Sequence, residues 1–567
     1  MIAVVGSIVL FLSLAGCIAW PLGRYIAYVM SAPVISFRPF AWFEEKVKRF
    51  LGAAYSIQMT WKEYFFSFLT FHTVGLFFLF FLIRYQHFFD ARIEQSSADT
   101  AFNAAVSFVT NTNWQSYIPE LDMSWFVYMI GVTSQQFLTA AAGLTILCVL
   151  ARAFRSEEQQ FLGNFWQDIL RSSVMIFLPL AMILSCLLVA TGVPQSLSGE
   201  KQFTTLESTT DQKIPIGMYA SQVAIKQLGT NGGGVFRANA AHPFENPSPA
   251  SNIIELLAIL LIPMALCRTF GEMVGSPRQG MVFLCVMSAI FLLLASFACS
   301  VELCGHPCLS SETESAFQIA GNMEGKETRF GRFWSVLWAA STTATANGSV
   351  SSNFSSFFPL TGGVCLIFLH LGETIFGGIG TGMTTAVVFL LIAIFSAGLM
   401  VGRTPEYLGK KIEVHEMKLV TLLAIFPAAL VLLGTALVLE QTAGRASLST
   451  YGPHGLTEVL YAFSSSAANN GSSFQGLHAN VSLYNFLLGI VMYLARFFPI
   501  GLTLALSSLI AKKKRMAENV GTLPTDSVAF GIWFAFVILI IGALNFLPVF
   551  TLGPVIEHML LFFPTSS

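Results

Sequence analysis

The sequence predicts an all-α polytopic membrane protein. Ten transmembrane helices are arranged as four pseudo-repeats of helix, short re-entrant helix, extended strand and helix, with one extra helix at each end. Three observations predict this: an apolar composition, ten apolar runs whose connections alternate in charge, and a Thr/Ser/Asn/Gly-rich burst recurring at a near-constant interval.

Composition comes first. The chain has 567 residues, 54% hydrophobic and 11% charged, with a mean hydropathy of +0.68. Soluble domains carry roughly 25% charged residues, so this chain has less than half the usual solvating surface. Its 53 Phe would overfill a soluble core. A soluble enzyme, a nucleic-acid binder and a disordered protein are excluded on these grounds. The net charge of −1 gives no field for a polyanion, so the expected partner is a lipid bilayer and not nucleic acid.

Apolar runs long enough for a ~30 Å hydrocarbon core occur near 2–22, 64–86, 126–150, 173–192, 253–274, 280–299, 360–402, 419–440, 483–510 and 528–550. The first contains Leu14-Ala15-Gly16-Cys17, similar to a lipoprotein cleavage box. No Lys or Arg precedes it, so the positive region of a signal peptide is missing and the run reads as an uncleaved span. Basic residues gather in connections 23–62, 152–171, 268–278, 403–418 and 511–527, which hold 19 of the 30 Lys and Arg. These lie on one side, the cytoplasmic side by the positive-inside rule, only if 360–402 counts as a single crossing broken at Gly377-Gly378-Ile379-Gly380-Thr381-Gly382. Both termini are then extracytoplasmic, and Lys512–Arg515 form a cytoplasmic anchor.

The opposite connections each carry a segment too short to span that ends in small polar residues: Ala104-Ala-Val-Ser-Phe-Val-Thr-Asn-Thr-Asn113, Val223-Ala-Ile-Lys-Gln-Leu-Gly-Thr-Asn-Gly-Gly-Gly234, Val336-Leu-Trp-Ala-Ala-Ser-Thr-Thr-Ala-Thr-Ala-Asn-Gly348 and Val459-Leu-Tyr-Ala-Phe-Ser-Ser-Ser-Ala-Ala-Asn-Asn-Gly471. Taking Thr112, Gly232, Gly348 and Gly471 as equivalent, the intervals are 120, 116 and 123 residues, an internal repeat. The expected units are an N-terminal helix with its loop (1–62), pore repeats at 63–155, 156–275, 276–411 (its second helix broken) and 412–515, and a C-terminal helix (516–567).

Non-helical backbone at membrane depth is tolerated only where protein buries it or it lines an aqueous path. Four such strands can surround an axis with carbonyl dipoles that replace the hydration shell of K+, and the short helices point their negative ends at it. The strands carry no acidic residue, against the charged-ring design of a divalent-cation pore. The expected K+-binding residues are Thr110, Asn111, Thr112 and Asn113; Thr230, Asn231, Gly232 and Gly233; Thr345, Ala346, Asn347 and Gly348; and Ala468, Asn469, Asn470 and Gly471. Trp114 and Gln115 are expected to support the first strand from its outer end. A packing role for the small residues does not explain their recurrence on one side.

Here the sequence resembles the KdpA family, the potassium-binding A subunit of the bacterial Kdp potassium pump. The resemblance spans nearly the whole chain and is carried by Thr110-Asn-Thr-Asn-Trp-Gln-Ser-Tyr117, by Thr230-Asn-Gly-Gly-Gly-Val-Phe236 with Asn239-Ala-Ala-His-Pro-Phe-Glu-Asn-Pro247, and by Gly402-Arg-Thr-Pro-Glu-Tyr-Leu-Gly-Lys-Lys-Ile-Glu413. It implies the four-repeat fold of the potassium channel and transporter superfamily. It also implies a P-type ATPase partner (KdpB), a single-span KdpC and a small KdpF peptide, in the bacterial inner membrane. Two stretches depart from the family pattern. The third strand is followed by Val350-Ser-Ser-Asn-Phe-Ser-Ser356 where a Val-Asn-x-Met-His-Asp-like segment is usual. In the fourth, Ala468 stands before Asn469 and Asn470 where a third Asn is usual. Carbonyl coordination depends on backbone geometry, so selectivity is expected to tolerate both changes better than affinity or the outer vestibule.

Neither a G-x-x-x-x-G-K-[ST] loop nor a D-K-T-G-T motif is present, so ATP, the expected energy source, would be used by the partner. No covalent cofactor is expected. A passive pore at about −150 mV gains only roughly 3.5 kcal/mol per ion, and scavenging beyond that needs chemical energy. Glu373 is expected on the ion path below the filter. Arg496, in the ninth span, either closes the inner end by repulsion or neutralises a buried acid such as Glu373. Gly377, Gly378, Gly380 and Gly382 are expected to form an intramembrane loop that gates the cavity and opens a lateral route. His242-Pro-Phe-Glu-Asn-Pro247 reads as a turn bracing the second filter. Cys304 and Cys308 are a disulfide or two plain thiols. The alternative is a passive Trk/Ktr/HKT-type transporter, which the three signatures disfavour. A secondary symporter would show inverted repeats.

Overall fold

The computed structural model describes residues 2–32, 38–205, 211–304, 321–371, 373–517 and 522–562. His306 and Cys308 lie outside them. In chain order the principal elements are α1 (Ile2–Ser31), α2 (Arg38–Leu51), α3 (Trp61–Arg84), α4 (Ala98–Val109), α5 (Trp125–Arg155) and α6 (Phe165–Ala190). The hairpin of β1 (Glu200–Thr204) and β2 (Asp211–Pro215) follows, then α7 (Tyr219–Leu228), α8 (Pro249–Val274), α9 (Pro277–Glu302), α10 (Gly331–Ala344), α11 (Pro359–His370) and α12 (Thr381–Val401). A second hairpin, β3 (Glu406–Tyr407) and β4 (Lys410–Lys411), leads to α13 (Val414–Glu440), α14 (Pro453–Ala467), α15 (Ser482–Ala511) and α16 (Val528–Phe562).

Ten of these helices are long and apolar enough to span, and four short ones, α4, α7, α10 and α14, stand between pairs of them. Local chemistry sets many of the boundaries. Thr60 and Glu63 form a capping box at the start of α3, Pro249, Pro277, Pro359 and Pro453 open their helices, and left-handed Gly275 and Gly402 close α8 and α12, the residue types each end favours. The 360–402 run is two helices, α11 and α12, separated by residues 371–380.

Burial divides the spans into an inner and an outer set. The apolar windows of α5 and α8 are 83% and 72% buried inside the protein, against 28% for α1, α3 and α16. The outer helices show large apolar side chains such as Phe66 and Leu544, the surface that lipid requires. The two small hairpins were not foreseen in the sequence. In the β3–β4 hairpin, Lys410 is fully buried. Its ammonium donates to Ala153 O at 3.1 Å, Ile510 O at 2.8 Å and Ser156 O. One cation thus ties together the carbonyl-rich ends of α5 and α15, where the helix dipole favours positive charge.

On the opposite face His454, at the start of α14, donates from Nδ1 to Glu557 at 2.7 Å, with Glu458 at 3.7 Å from Nε2. The hydrogen bond to Glu557 raises the imidazole above its usual 6.5. A raised imidazole contributes stability fully below 6.5 and loses it as pH climbs through the raised value. Thermal unfolding of purified protein is therefore expected to show a stability decrease over that window, and His454→Gln should flatten it. An unchanged pH profile in the variant would overturn the assignment.

Candidate ion filter

The four short helices end in the same way. Their terminal residues Thr110, Gly229, Thr345 and Ala468 have φ/ψ of −88/2, −77/−2, −99/8 and −82/5. The next residue in each strand is left-handed: Asn111 at φ 65, Thr230 at 47, Ala346 at 51 and Asn469 at 48. Two residues later the backbone is left-handed again, at Asn113 (60), Gly232 (78), Gly348 (87) and Gly471 (92). The residue between donates its N–H five residues back in every repeat, from Thr112 to Ser107 O (2.9 Å), Asn231 to Lys226 O (2.9 Å), Asn347 to Thr342 O (2.9 Å) and Asn470 to Ser465 O (2.8 Å).

This register corrects two points of the sequence reading. The equivalent of Gly232, Gly348 and Gly471 is Asn113, not Thr112. The second strand is Gly229–Gly232, so Gly229 belongs to the repeat and Gly233 falls beyond it. The carbonyl of Gly233 is occupied by three side-chain donors, Tyr128 Oη (3.3 Å), Gln136 Nε2 (2.9 Å) and Gln222 Nε2 (2.8 Å). The remaining residues of the four predicted strands fall in this common frame.

The strands form a closed ring. A Cβ on Gly232 would collide with Asn347 O, on Gly348 with Asn470 O, and on Gly471 with Thr112 O. Asn111 Nδ2 completes the circuit by donating to Thr230 O at 3.1 Å. Three further amides brace neighbours: Asn347 Nδ2 reaches Lys226 O (3.2 Å), Asn470 Nδ2 reaches Thr342 O (2.7 Å) and Asn469 Nδ2 reaches Thr112 Oγ1 (2.8 Å). Ala468, the departure in the fourth strand, keeps the backbone of its counterparts. Gln115 links two strand exits, donating to Gly234 O and accepting from Gly234 N, both at 3.1 Å. Trp114 is buried, and its carbonyl accepts from Ser107 Oγ at 2.9 Å.

Lys226 is a buried cation beside the second strand that sequence reasoning passed over. It is neutralised by Glu245, both side chains being fully buried, and donates to Asn239 Oδ1 at 2.9 Å. Glu245 also accepts from Val235 N (2.9 Å) and Phe236 N (3.1 Å), and Asn239 Nδ2 donates to Gly232 O (2.6 Å). His242 stacks on Phe236 with ring centroids 3.7 Å apart. The Asn239–Pro247 signature is thus a brace around one buried ion pair.

Beneath the ring lies the 371–380 break. Gly377 N donates to Ala344 O at the end of α10 (2.9 Å), and Ile379 N donates to Thr230 Oγ1 (3.3 Å). Gly380 abuts the backbone of Gly143 in α5, and Gly382 abuts Phe376 O, so closely that neither has room for a side chain. Gly378 lies near Glu373, whose Oε2 accepts from Gly378 N (3.3 Å) and Thr381 Oγ1 (2.9 Å). Buried Arg496 reaches the same Thr381 hydroxyl at 3.4 Å. Thr381, absent from the predicted set, therefore stands between Glu373 and Arg496. A cavity of about 80 Å³ runs from Ala468 and Asn469 past these groups to Asn545 and Phe546 of α16, room for an ion with a few waters.

The family model described as "Potassium-transporting ATPase A subunit" (KdpA) matches residues 9–559. The chain belongs to that family. It is 46% identical to the potassium-transporting ATPase potassium-binding subunit of Herpetosiphon aurantiacus, over 97% of each chain. It is 45% identical to the subunit of that name from Sorangium cellulosum, over 97% of this chain and 98% of the other. Among solved structures it is similar to the potassium transporter TrkH of Vibrio parahaemolyticus, with a TM-score of 0.48 and 14% identity over 72% of this chain and 78% of that one.

Gly348→Ala is expected to abolish selective Rb+ binding, because the methyl group would occupy the position of Asn470 O. Gly6→Ala, in α1 with open space around it, should leave binding intact. Glu245→Gln strands the charge of Lys226 and should cost about 3–5 kcal/mol of stability, measurable as a large drop in melting temperature. Restoring neutrality with Lys226→Met should recover most of it.

Proposed function

We propose that this chain is the potassium-binding, ion-selecting subunit of an ATP-driven potassium uptake complex. The observation that carries the reading is the ring of four strands, each with the same pair of left-handed residues. Alternating dihedrals of this kind turn successive carbonyls to one side, toward the axis, where they replace the hydration of K+. The strands hold no acidic group, so a monovalent cation is favoured by carbonyl field alone. The four short helices add their C-terminal dipoles.

In this reading K+ enters from the extracytoplasmic side and is held by Thr110–Asn113, Gly229–Gly232, Thr345–Gly348 and Ala468–Gly471. Glu373 draws the ion into the cavity below, Arg496 blocks the direct path to the cytoplasm, and the 371–380 loop gates the route. The cavity's reach toward α16 supports a sideways exit into a partner. The partners are a KdpB-like P-type ATPase subunit, which hydrolyses ATP, a KdpC-like single-span subunit and a KdpF-like peptide. The complex sits in the bacterial inner membrane, with both termini of this chain extracytoplasmic.

The test is rubidium uptake in bacteria lacking their own potassium systems, with the chain expressed alone and with its partners. Uptake only with an active ATPase subunit is expected; robust uptake from the chain alone would favour the passive Trk-like alternative. Within the complex, Glu373→Gln is expected to lower uptake about tenfold, a ~1.4 kcal/mol effect. Arg496→Met is expected to admit uptake that persists when ATP hydrolysis is blocked.

A further inference from the structure

Helix α2, between the first two spans, takes no part in the filter. Arg38 lies seven residues after Ser31 and Leu51 ten before Trp61, so both ends are tethered where the chain leaves the bilayer, on the side rich in Lys and Arg. One stripe of the helix packs on the protein. Phe40 is buried, and Glu44 accepts from Tyr55 Oη at 2.6 Å and lies 3.7 Å from Arg171 in α6. A second stripe faces away. Trp42, Phe43 and Phe50 fall within one sector of the helix, and they are 63%, 41% and 89% exposed. Lys46 shares that sector, its ammonium 3.6 Å from the centre of the Trp42 ring. Exposed Arg49 lies at one edge of that sector and exposed Lys48 farther round, past Glu45 toward Glu44, and Arg49 makes a surface pair with Glu45. Aromatic rings beside basic groups, on a helix held at headgroup depth, match the chemistry of an interfacial helix.

We propose that α2 seats Trp42, Phe43 and Phe50 among the acyl chains of the leaflet on the basic side. Lys46, Lys48 and Arg49 hold anionic phospholipid headgroups there, tying α6 to the charge of that leaflet through Glu44. This rests on the sidedness taken above and is independent of the identity of the ion.

The full chain, with the subunits that purify with it, would be reconstituted in vesicles of phosphatidylcholine alone or with phosphatidylglycerol. The Trp42 signal is the difference between wild type and Trp42→Phe. Phospholipids brominated along the acyl chain should quench it in both vesicles, and phosphatidylglycerol should shift it further to the blue. A Lys46→Gln, Lys48→Gln, Arg49→Gln variant should keep the quenching and lose the shift. Quenching by aqueous iodide with none by brominated lipid would overturn the proposal. So would shielding from both reagents, the mark of a protein partner on this face. A shift undiminished in the triple variant would overturn the headgroup assignment. Should Trp42→Phe not assemble, Phe50→Trp reports the same face as an added signal.

Discussion

A neighbour's carbonyl oxygen occupies the space where a side chain would stand at Gly232, Gly348 and Gly471, and the rest of the structure serves that contact. Strands this close cannot be held by packing of side chains, because few side chains fit between them. They are held by backbone shape. Five of the eight left-handed positions are not glycine: Asn111, Asn113, Thr230, Ala346 and Asn469. Each such residue costs about 1–3 kcal/mol. The offset comes from the amide cross-links and the five-residue turn bonds, at roughly 1 kcal/mol apiece. It also comes from the rigidity of the deeply buried α5 and α8. At Asn113 the arrangement differs, since a side chain is present. The space it needs is provided by Gly233, where a Cβ would lie 2.9 Å from Asn113 Cβ.

Charge is arranged with the same economy. The ring itself is neutral, and Lys226, a cation close behind it, is cancelled within hydrogen-bond distance by Glu245. The third repeat buries a second pair, Lys326 with Glu302 at 2.6 Å. Buried pairs add little net stability compared with apolar replacements, but removing one partner is expensive. Their effect is to fix the loops that follow two strands without leaving a field across the axis. Lys410 acts similarly at the far end, spending its charge on helix carbonyls.

Much of this was legible in the sequence. Apolar run length gave the spans, and the basic loops required 360–402 to be a single crossing. The recurrent polar bursts located all four strands. Register was harder to read. Gly232 was aligned correctly with Gly348 and Gly471, but the strand was begun at Thr230 and run on to Gly233, because nothing in Gly229-Thr230 marks where the helix ends and the strand begins. Asn113 was not recognised as the counterpart of the glycines because a left-handed backbone carries no unique residue label. The Lys226–Glu245 pair spans nineteen positions and becomes visible only when the Asn239–Pro247 loop folds back. Thr381, inside the glycine run, was left out of the predicted set, yet its hydroxyl meets both Glu373 and Arg496.

The four repeats are alike in backbone but not in what they meet below, and that asymmetry suits an intermittent path. The end of α10 differs from its three counterparts: its Ala344 carbonyl is taken by Gly377 of the break. The loop's second hold is the Ile379 N–H on Thr230, itself a filter residue. Freeing the loop exchanges two hydrogen bonds for water, about 2 kcal/mol at the usual net value, and loses the glycine-to-backbone packing against α5. A closed state favoured by roughly thirtyfold follows from the hydrogen bonds alone. That bias is small, in the proposed mechanism, beside what a partner driven by ATP can supply. In the proposed mechanism, strain stored in the second strand and closure of the cavity are therefore one event, because Thr230 is both a left-handed filter residue and the latch.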